Sequence, residues 1–198
     1  MFTKEFFQQA WGEGGYVEPF SYGVGYHKVC EVGIYPFLGK ALEIGSGGGT
    51  FTEKMLGRFD LTVVDVIKKP PQFNGWDLTY IELPDQSNDL PGIKDGSIDF
   101  CFSYNVFCHL SNDFIKGYLK SVRRVLKTGG NFVFMLANFE HSKAHLNHDN
   151  YKLGQLLDFG HYYQDDRTID LIVGEGWEIV NRNLLPDHRD ILVHLKSI

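Results

Sequence analysis

The segment Glu43-Ile-Gly45-Ser-Gly47-Gly-Gly49-Thr50 contains the residues whose types and spacing point most clearly to chemistry. Glycine lets the backbone approach a ligand closely and adopt positive φ without a side-chain clash. The segment follows a short apolar run and precedes an amphipathic one, which is the strand–turn–helix context of a nucleotide-binding loop; a plain tight corner is the alternative. Glu43 would repel a pyrophosphate, so its carboxylate favours a ligand that carries an ammonium and a sulfonium group.

Two common nucleotide-binding loops do not match this segment. A dinucleotide fingerprint Gly-x-Gly-x-x-Gly that began at Gly45 would require glycine at position 50, where Thr50 stands. A Walker loop is excluded because no Gly-Lys-Ser/Thr follows the glycines.

Histidines are the candidates for a general base, because histidine titrates near neutral pH. His109 follows the fourth predicted strand, and His141 and His145 follow the fifth. The spacing of His141 and His145 could place both on one side of a helix, with His148 or Asp149 completing a metal site. The H-E-x-x-H pattern is absent, so we predict no metal. The alternative for these histidines is a polar role in a mobile loop.

Apolar runs alternate with amphipathic segments along the chain, which predicts a doubly wound α/β fold with helices on both faces of a mostly parallel sheet. Such sheets bind ligands at the carboxyl ends of their strands. The strands are predicted at Ala41–Ile44, Leu61–Ile67, Leu78–Leu83, Ile98–Tyr104, Phe132–Ala137, Trp177–Leu185 and Ile191–Leu195. Helices are predicted at Val24–Phe37, Thr50–Leu56, Ser111–Leu126, with Ser111 as its cap, and Asp166–Gly174.

Composition excludes several classes of protein. The 198 residues include 19 Lys and Arg against 25 Asp and Glu, a net charge of −6, which disfavours nucleic-acid binding through a basic surface. The length favours one domain with its own core. The three cysteines lack Cys-x-x-Cys spacing and are expected to be small buried hydrophobic residues. A secretory h-region and an apolar run of ~18 residues are both missing, so we expect a reduced, soluble, cytoplasmic protein without membrane contact.

The N-terminal end is unusually rich in glycine and aromatic residues. Residues 1–40 contain ten aromatic side chains, and 11 of the 22 glycines lie in the first 50 residues. This composition fits a flap over the ligand, with Tyr16 or Tyr22 facing it. The alternative is that the rings cover one edge of the sheet.

Four ordered segments together resemble the class I S-adenosylmethionine-dependent methyltransferases. The glycine loop resembles the family's Glu-x-Gly-x-Gly-x-Gly motif, and Asp65 stands 22 residues after Glu43, where the family has an acid that ends the second strand. The resemblance continues in Leu90-Pro91 with Asp95–Phe100, and in Arg123–Gly130, which resembles the signature between a helix and the fifth strand. It covers residues 38–137.

The resemblance implies S-adenosylmethionine as the cofactor and assigns roles to the residues that match. An ordinary strand cap is the alternative for Asp65, and Asp99 is expected to organise its strand rather than to touch the ligand. The implied roles are Glu43 at the methionine ammonium, Gly45, Ser46 and Gly47 in the loop that passes the ligand, Asp65 at the ribose hydroxyls, Val66 beside the adenine, Asp85 or Gln86 near the adenine amino group, and Asn105 near the methyl group.

The resemblance also implies a Rossmann-like sheet of seven strands, the last antiparallel, in a single methyltransferase domain over residues 1–198. Within it we expect an N-terminal cap and helix (1–37), a donor-binding core (38–137) and a substrate-side insertion or lid (139–164). The expected acceptor is a small molecule or a glycan. Two alternatives remain: an NAD(P)-dependent oxidoreductase, disfavoured by Thr50 and by the lack of a Tyr-x-x-x-Lys pair, and a non-catalytic ligand-binding protein of the same fold.

Overall fold

A computed structural model of the chain describes residues 4, 8, 23–138, 156–157, 161–164, 169–170, 173–185 and 190–198. This part of the chain contains both helices and strands. In chain order they are α1 (Gly23–Gly33), β1 (Gly39–Ile44), α2 (Thr52–Met55), β2 (Phe59–Asp65), β3 (Thr79–Glu82), β4 (Ile98–Ser103), α3 (Asn112–Val125), β5 (Leu126–Asn138), β6 (Leu156–Leu157), β7 (His161–Gln164), β8 (Trp177–Asn181) and β9 (Ile191–Ser197). Single turns of 3-10 helix lie at Pro71–Phe73 and Phe107–His109.

Seven of the described strands form one sheet in the order β3-β2-β1-β4-β5-β9-β8. The first five pair in parallel, and β9 runs antiparallel to both of its neighbours. This arrangement confirms the predicted mostly parallel sheet with an antiparallel last strand. A short ribbon of β7 and β6 extends the sheet from the end of β5, where the sequence predicted no strand.

Two apolar clusters pack on opposite faces of the sheet, because side chains alternate along each strand. Leu42 and Ile44 of β1 enter one cluster, together with the buried face of α3. Ala41 of the same strand enters the other cluster, with Val29 of α1 and Met55 of α2. Helices therefore cover both faces, as the alternating pattern predicted.

The helix α3 forms because its apolar residues recur at helical spacing. The residues that it buries are Ile115, Tyr118, Leu119, Val122 and Val125. Ser111 occupies the predicted N-cap position, but its side chain makes no capping hydrogen bond, so the sequence predicted the position correctly and the contact wrongly.

Several smaller expectations can be compared with the structure. Helix α1 ends at Gly33 rather than at Phe37, and the helical residues 169, 170 and 173 lie within the predicted helix Asp166–Gly174. Asp99 accepts a hydrogen bond from the Lys40 backbone N–H at 2.9 Å and pairs with Lys127, so it organises the start of β4 as expected.

Cys30, Cys101 and Cys108 are free and buried. None of the helices in the described part of the chain is long and apolar enough to span a membrane.

Candidate functional site

A cleft opens at the carboxyl ends of β1, β2 and β4 and encloses about 1120 Å³, part of it open to solvent. All nine residues that the sequence predicted to bind a cofactor line the cleft: Glu43, Gly45, Ser46, Gly47, Asp65, Val66, Asp85, Gln86 and Asn105. The fold therefore brings together side chains that are up to 62 positions apart in sequence.

The glycine loop leaves β1 in a conformation that needs glycine. Gly45 has φ +73°, and a Cβ added to it would lie 2.2 Å from Cγ2 of Val106. Gly49 has φ +90°, and its Cβ would lie 2.4 Å from the Phe73 ring. At both positions a neighbouring side chain occupies the space that a Cβ would need, so the loop requires glycine there.

Glu43 is a buried carboxyl group at the end of β1. Its Oε2 accepts a hydrogen bond of 2.6 Å from the hydroxyl of Thr52, the first residue of α2. Burial raises the pKa of Glu43 to about 8, and the nearby Asp65 acts in the same direction, while the Thr52 hydrogen bond opposes the shift. A buried carboxyl group of this kind gains the most from a cationic ligand, because a positive charge favours its ionised form.

Asp65 ends β2 and lies on the same side of the sheet as Glu43. Its Oδ2 accepts hydrogen bonds from the Gly47 backbone N–H at 2.9 Å and from the Ser46 hydroxyl at 3.3 Å. Its Oδ1 accepts one from the Ile67 backbone N–H at 3.3 Å. Burial raises the pKa of Asp65, and these hydrogen bonds oppose the shift. The carboxylate thus joins the glycine loop to the end of β2.

Gln86 and Asn105 are the two non-glycine residues with positive φ in the described part of the chain, at +56° and +59°. Gln86 follows β3 and Asn105 follows β4, and both line the cleft. The Asn105 side-chain oxygen accepts a contact of 3.5 Å from the Cys108 thiol. Strained backbone of this kind concentrates at ligand sites, which agrees with the predicted position of both residues at the site.

The structure describes one of the three candidate general bases, His109. His109 lies in the 3-10 turn after β4 and lines the cleft. His141 and His145, together with His148 and Asp149, lie outside the described residues. Among the described residues, no group of three or more His, Cys, Asp or Glu side chains could hold a metal ion.

Four aromatic residues of the cleft were not among the predicted site residues: Phe51, Tyr104, Phe114 and Tyr118. The rings of Phe51 and Tyr104 lie 4.6 Å apart, between the glycine loop and the end of β4. Adjacency in the sequence could have indicated these two, because Phe51 directly follows the glycine loop and Tyr104 directly precedes Asn105. Phe114 and Tyr118 carried no such signal, because both fit the apolar face of α3.

Two residues near the N-terminus that the structure describes, Lys4 and Gln8, contact residues at the ends of β3 and β2. Lys4 pairs with Glu82, the last residue of β3, at 2.5 Å. The side-chain oxygen of Gln8 accepts a hydrogen bond of 2.8 Å from the backbone N–H of Lys68, which follows β2. Tyr16 and Tyr22, predicted to face the ligand, lie outside the described residues.

The sequence matches the family model described as "Methyltransferase domain" over residues 42–134. These residues run from β1 into β5 and include the glycine loop and the ends of β2, β3 and β4. No curated protein matches the chain.

Many solved structures share the fold at low sequence identity. An S-adenosylmethionine-dependent methyltransferase from Clostridium acetobutylicum is 15% identical, with a TM-score of 0.70 over 90% of this chain and 94% of its own. A 1,6-didemethyltoxoflavin-N1-methyltransferase from Burkholderia thailandensis, with its substrate and S-adenosylhomocysteine bound, is 13% identical, with a TM-score of 0.71 over 98% and 86%. The N-methyltransferase NodS from Bradyrhizobium japonicum, bound to S-adenosylhomocysteine, is 19% identical, with a TM-score of 0.60 over 91% and 88%.

Proposed function

We propose that this chain is an S-adenosylmethionine-dependent methyltransferase whose acceptor is a small molecule or a glycan, because the model of a methyltransferase domain matches residues 42–134 and solved methyltransferases share the fold. The observation that carries the proposal is the cleft in which two buried carboxyl groups, Glu43 and Asp65, flank the glycine loop. The bound cofactor supplies an activated methyl group.

The residues of the cleft fit this cofactor in charge and in shape. The Glu43 carboxylate would meet the methionine ammonium, and Asp65 would accept hydrogen bonds from the ribose hydroxyls. The loop Gly45-Ser46-Gly47 would let the backbone lie against the ligand, because its positive φ angles and the Val106 contact leave no room for a Cβ at position 45.

The remaining predicted residues extend the site to both sides of Asp65. Val66, Asp85 and Gln86 lie at the ends of β2 and β3, where they would surround the adenine. Asn105 lies at the end of β4, on the other side of β1, where it would approach the methyl group. This order follows from the sheet, since β1 stands between β2 and β4.

We propose His109 as a general base for an acceptor that must lose a proton, with His141 and His145 as the other candidates. His109 lines the cleft and lies, like Asn105, in the segment that follows β4, where the methyl group would lie. An acceptor that is already nucleophilic needs no base, and then the chain contributes mainly alignment and exclusion of water. Both roles place the acceptor at the β4 end of the cleft.

We propose a single domain in which residues 1–37 form a cap and a helix, residues 38–137 bind the donor, and residues 139–164 form a substrate-side insertion. Contacts of Lys4 and Gln8 with the ends of β2 and β3 support the cap. The net charge of −6 and the small-molecule substrate of the Burkholderia thailandensis enzyme support a small acceptor without nucleic acid.

Binding and turnover are tested in two steps. S-adenosylhomocysteine at 100 times its Kd should stabilise the chain by about 2.7 kcal/mol in a thermal or urea melt, and NAD should not. Purified chain is then incubated with S-adenosylmethionine labelled in the methyl group and with fractionated small metabolites and oligosaccharides. Transfer of label to such a fraction supports the proposal. Transfer only to protein or nucleic acid would overturn the acceptor class, and binding without any transfer would favour a non-catalytic protein of this fold.

A further inference from the structure

The connection between β3 and β4, residues 83–97, contributes three polar residues to the cleft. Asp85, Gln86 and Ser87 line it at the end where the adenine would lie under the proposed function. Gln86 has φ +56°, a left-handed conformation that costs a non-glycine residue free energy and persists only where the surroundings impose it. The contacts that hold this connection therefore decide the shape of the adenine end of the cleft.

Arg124, in the last turn of α3, binds the β3–β4 connection through four acceptors. Its Nη2 donates hydrogen bonds to the Leu90 carbonyl at 3.0 Å and to Asp89 Oδ1 at 3.3 Å. Its Nη1 donates to the Ile93 carbonyl at 3.2 Å and to Asp95 Oδ1 at 2.5 Å. Because a guanidinium presents its donors in a rigid fork, one side chain fixes acceptors that extend from residue 89 to residue 95.

Two further contacts extend this hold from Asp89 back to Gln86. The Ser87 hydroxyl donates a hydrogen bond of 3.5 Å to the backbone carbonyl of Asp89. Asn88 lies against Gly117 of α3, so closely that a Cβ added to this glycine would be 1.9 Å from Asn88 Nδ2. The chain directly after Gln86 is therefore held against α3.

The shape of the Arg124 side chain matters more than its charge. The Asp89 and Asp95 side chains are 70% and 71% exposed, so their ion pairs with Arg124 contribute little in water. The hydrogen bonds to the two backbone carbonyls are partly buried, and they need two nitrogen donors at a fixed separation. A lysine ammonium keeps the charge and lacks this fork.

We propose that Arg124 is a positioning residue for cofactor selectivity, which holds the β3–β4 connection so that Asp85 or Gln86 contacts the adenine amino group. The inference rests on the proposed function. Arg124 does not line the cleft, so it acts through the connection and not by touching the ligand.

The test is the variant Arg124→Lys, with Arg123→Lys as the matched control, because the neighbouring Arg123 donates its hydrogen bond to the Ile198 carbonyl instead, at 3.4 Å. Affinity is measured by calorimetry for S-adenosylhomocysteine and for S-inosylhomocysteine, in which a carbonyl oxygen replaces the adenine amino group. The unmodified chain should prefer S-adenosylhomocysteine. Arg124→Lys should lower this preference by roughly 2- to 12-fold, the loss of one hydrogen bond, by weakening S-adenosylhomocysteine alone. The control should keep the full preference.

The ratio of the two affinities separates positioning from a purely structural role, because a smaller folded fraction weakens both ligands equally. Gly117→Leu displaces Asn88 from α3 by another route and places a good helix former in the helix, so it should lower the same ratio. An unchanged ratio in either variant, equal weakening of both ligands, or an Arg124→Lys chain that does not fold would each overturn the inference. If the unmodified chain bound neither ligand, the proposed function would fail; if it bound both equally, only the inference would fail.

Discussion

We propose a binding role for Glu43, its burial costs stability, and the substitution Glu43→Gln separates the two effects. The side chain is 3% exposed, and burial raises its pKa from 4.5 to about 8. Glutamine has nearly the same shape, can keep the Thr52 contact and cannot ionise. We therefore expect the variant to bind S-adenosylhomocysteine more weakly and yet to fold more stably than the unmodified chain at pH 8.

The magnitude follows from proton linkage. The folded-state pKa lies above the unfolded one, so the protonated carboxyl contributes its full stability below the unfolded pKa of 4.5, and this stability is lost as the pH rises towards about 8. Between these values the unfolded chain releases a proton that the folded chain retains, which costs about 1.4 kcal/mol per pH unit. From pH 5 to pH 8 the unmodified chain should lose about 3 to 4 kcal/mol relative to Glu43→Gln.

The assay is urea unfolding of both ligand-free chains at several pH values between 5 and 8. Burial also raises the pKa of Asp65 in both chains, so only the difference in stability between them reports on Glu43. A difference that stays constant within about 1 kcal/mol would show that Glu43 ionises freely in the folded chain, and the reasoning would be refuted. Calorimetry at pH 8 completes the test, and equal affinity of the two chains for S-adenosylhomocysteine would refute the binding role.

Two further predictions concern the glycine loop and Asp65, which is hydrogen-bonded to it. Asp65→Ala should weaken S-adenosylhomocysteine by roughly 10- to 150-fold in calorimetry, because hydrogen bonds to a charged group are lost; unchanged affinity would show that this acid does not hold the ribose. Gly45→Ala should lower the free energy of unfolding by about 1–3 kcal/mol in urea, because φ is positive and the new Cβ would lie 2.2 Å from Val106. Val106→Ala in the same chain should recover part of that loss, and a Gly45→Ala chain as stable as the unmodified one would contradict the close approach.

Much of the fold could be predicted because its signals are local. The apolar run Ala41–Ile44 and the β-branched run Leu61–Ile67 each correspond to a strand of the sheet, and the helical spacing within Ser111–Leu126 corresponds to α3. The ribbon of β6 and β7 was missed, because strands of two and four residues are too short to show a period. The Ser111 cap was predicted in the right place, but whether its hydroxyl turns towards the helix depends on its surroundings.

The grouping of the predicted cofactor residues in one cleft follows from a related reason. The glycine loop, Asp65 and Asn105 each directly follow a strand, and the carboxyl ends of neighbouring parallel strands meet at one edge of the sheet. All nine predicted cofactor residues accordingly line one cleft. Tyr118 could not be predicted, because in the sequence it is one of five buried positions on the apolar face of α3.

The sequence by itself determined where the chain must leave its strands, where glycine is needed and which acids stand at the strand ends. Those features depend on residues within a few positions of each other, so composition and spacing carry them. Only the tertiary structure decided that Glu43 is buried enough to hold a proton near neutral pH, that Asp65 is bonded to the glycine loop, and that Tyr118 faces the cleft. These properties depend on what packs around a side chain from distant parts of the chain, and burial and electrostatics exist only once that packing is complete.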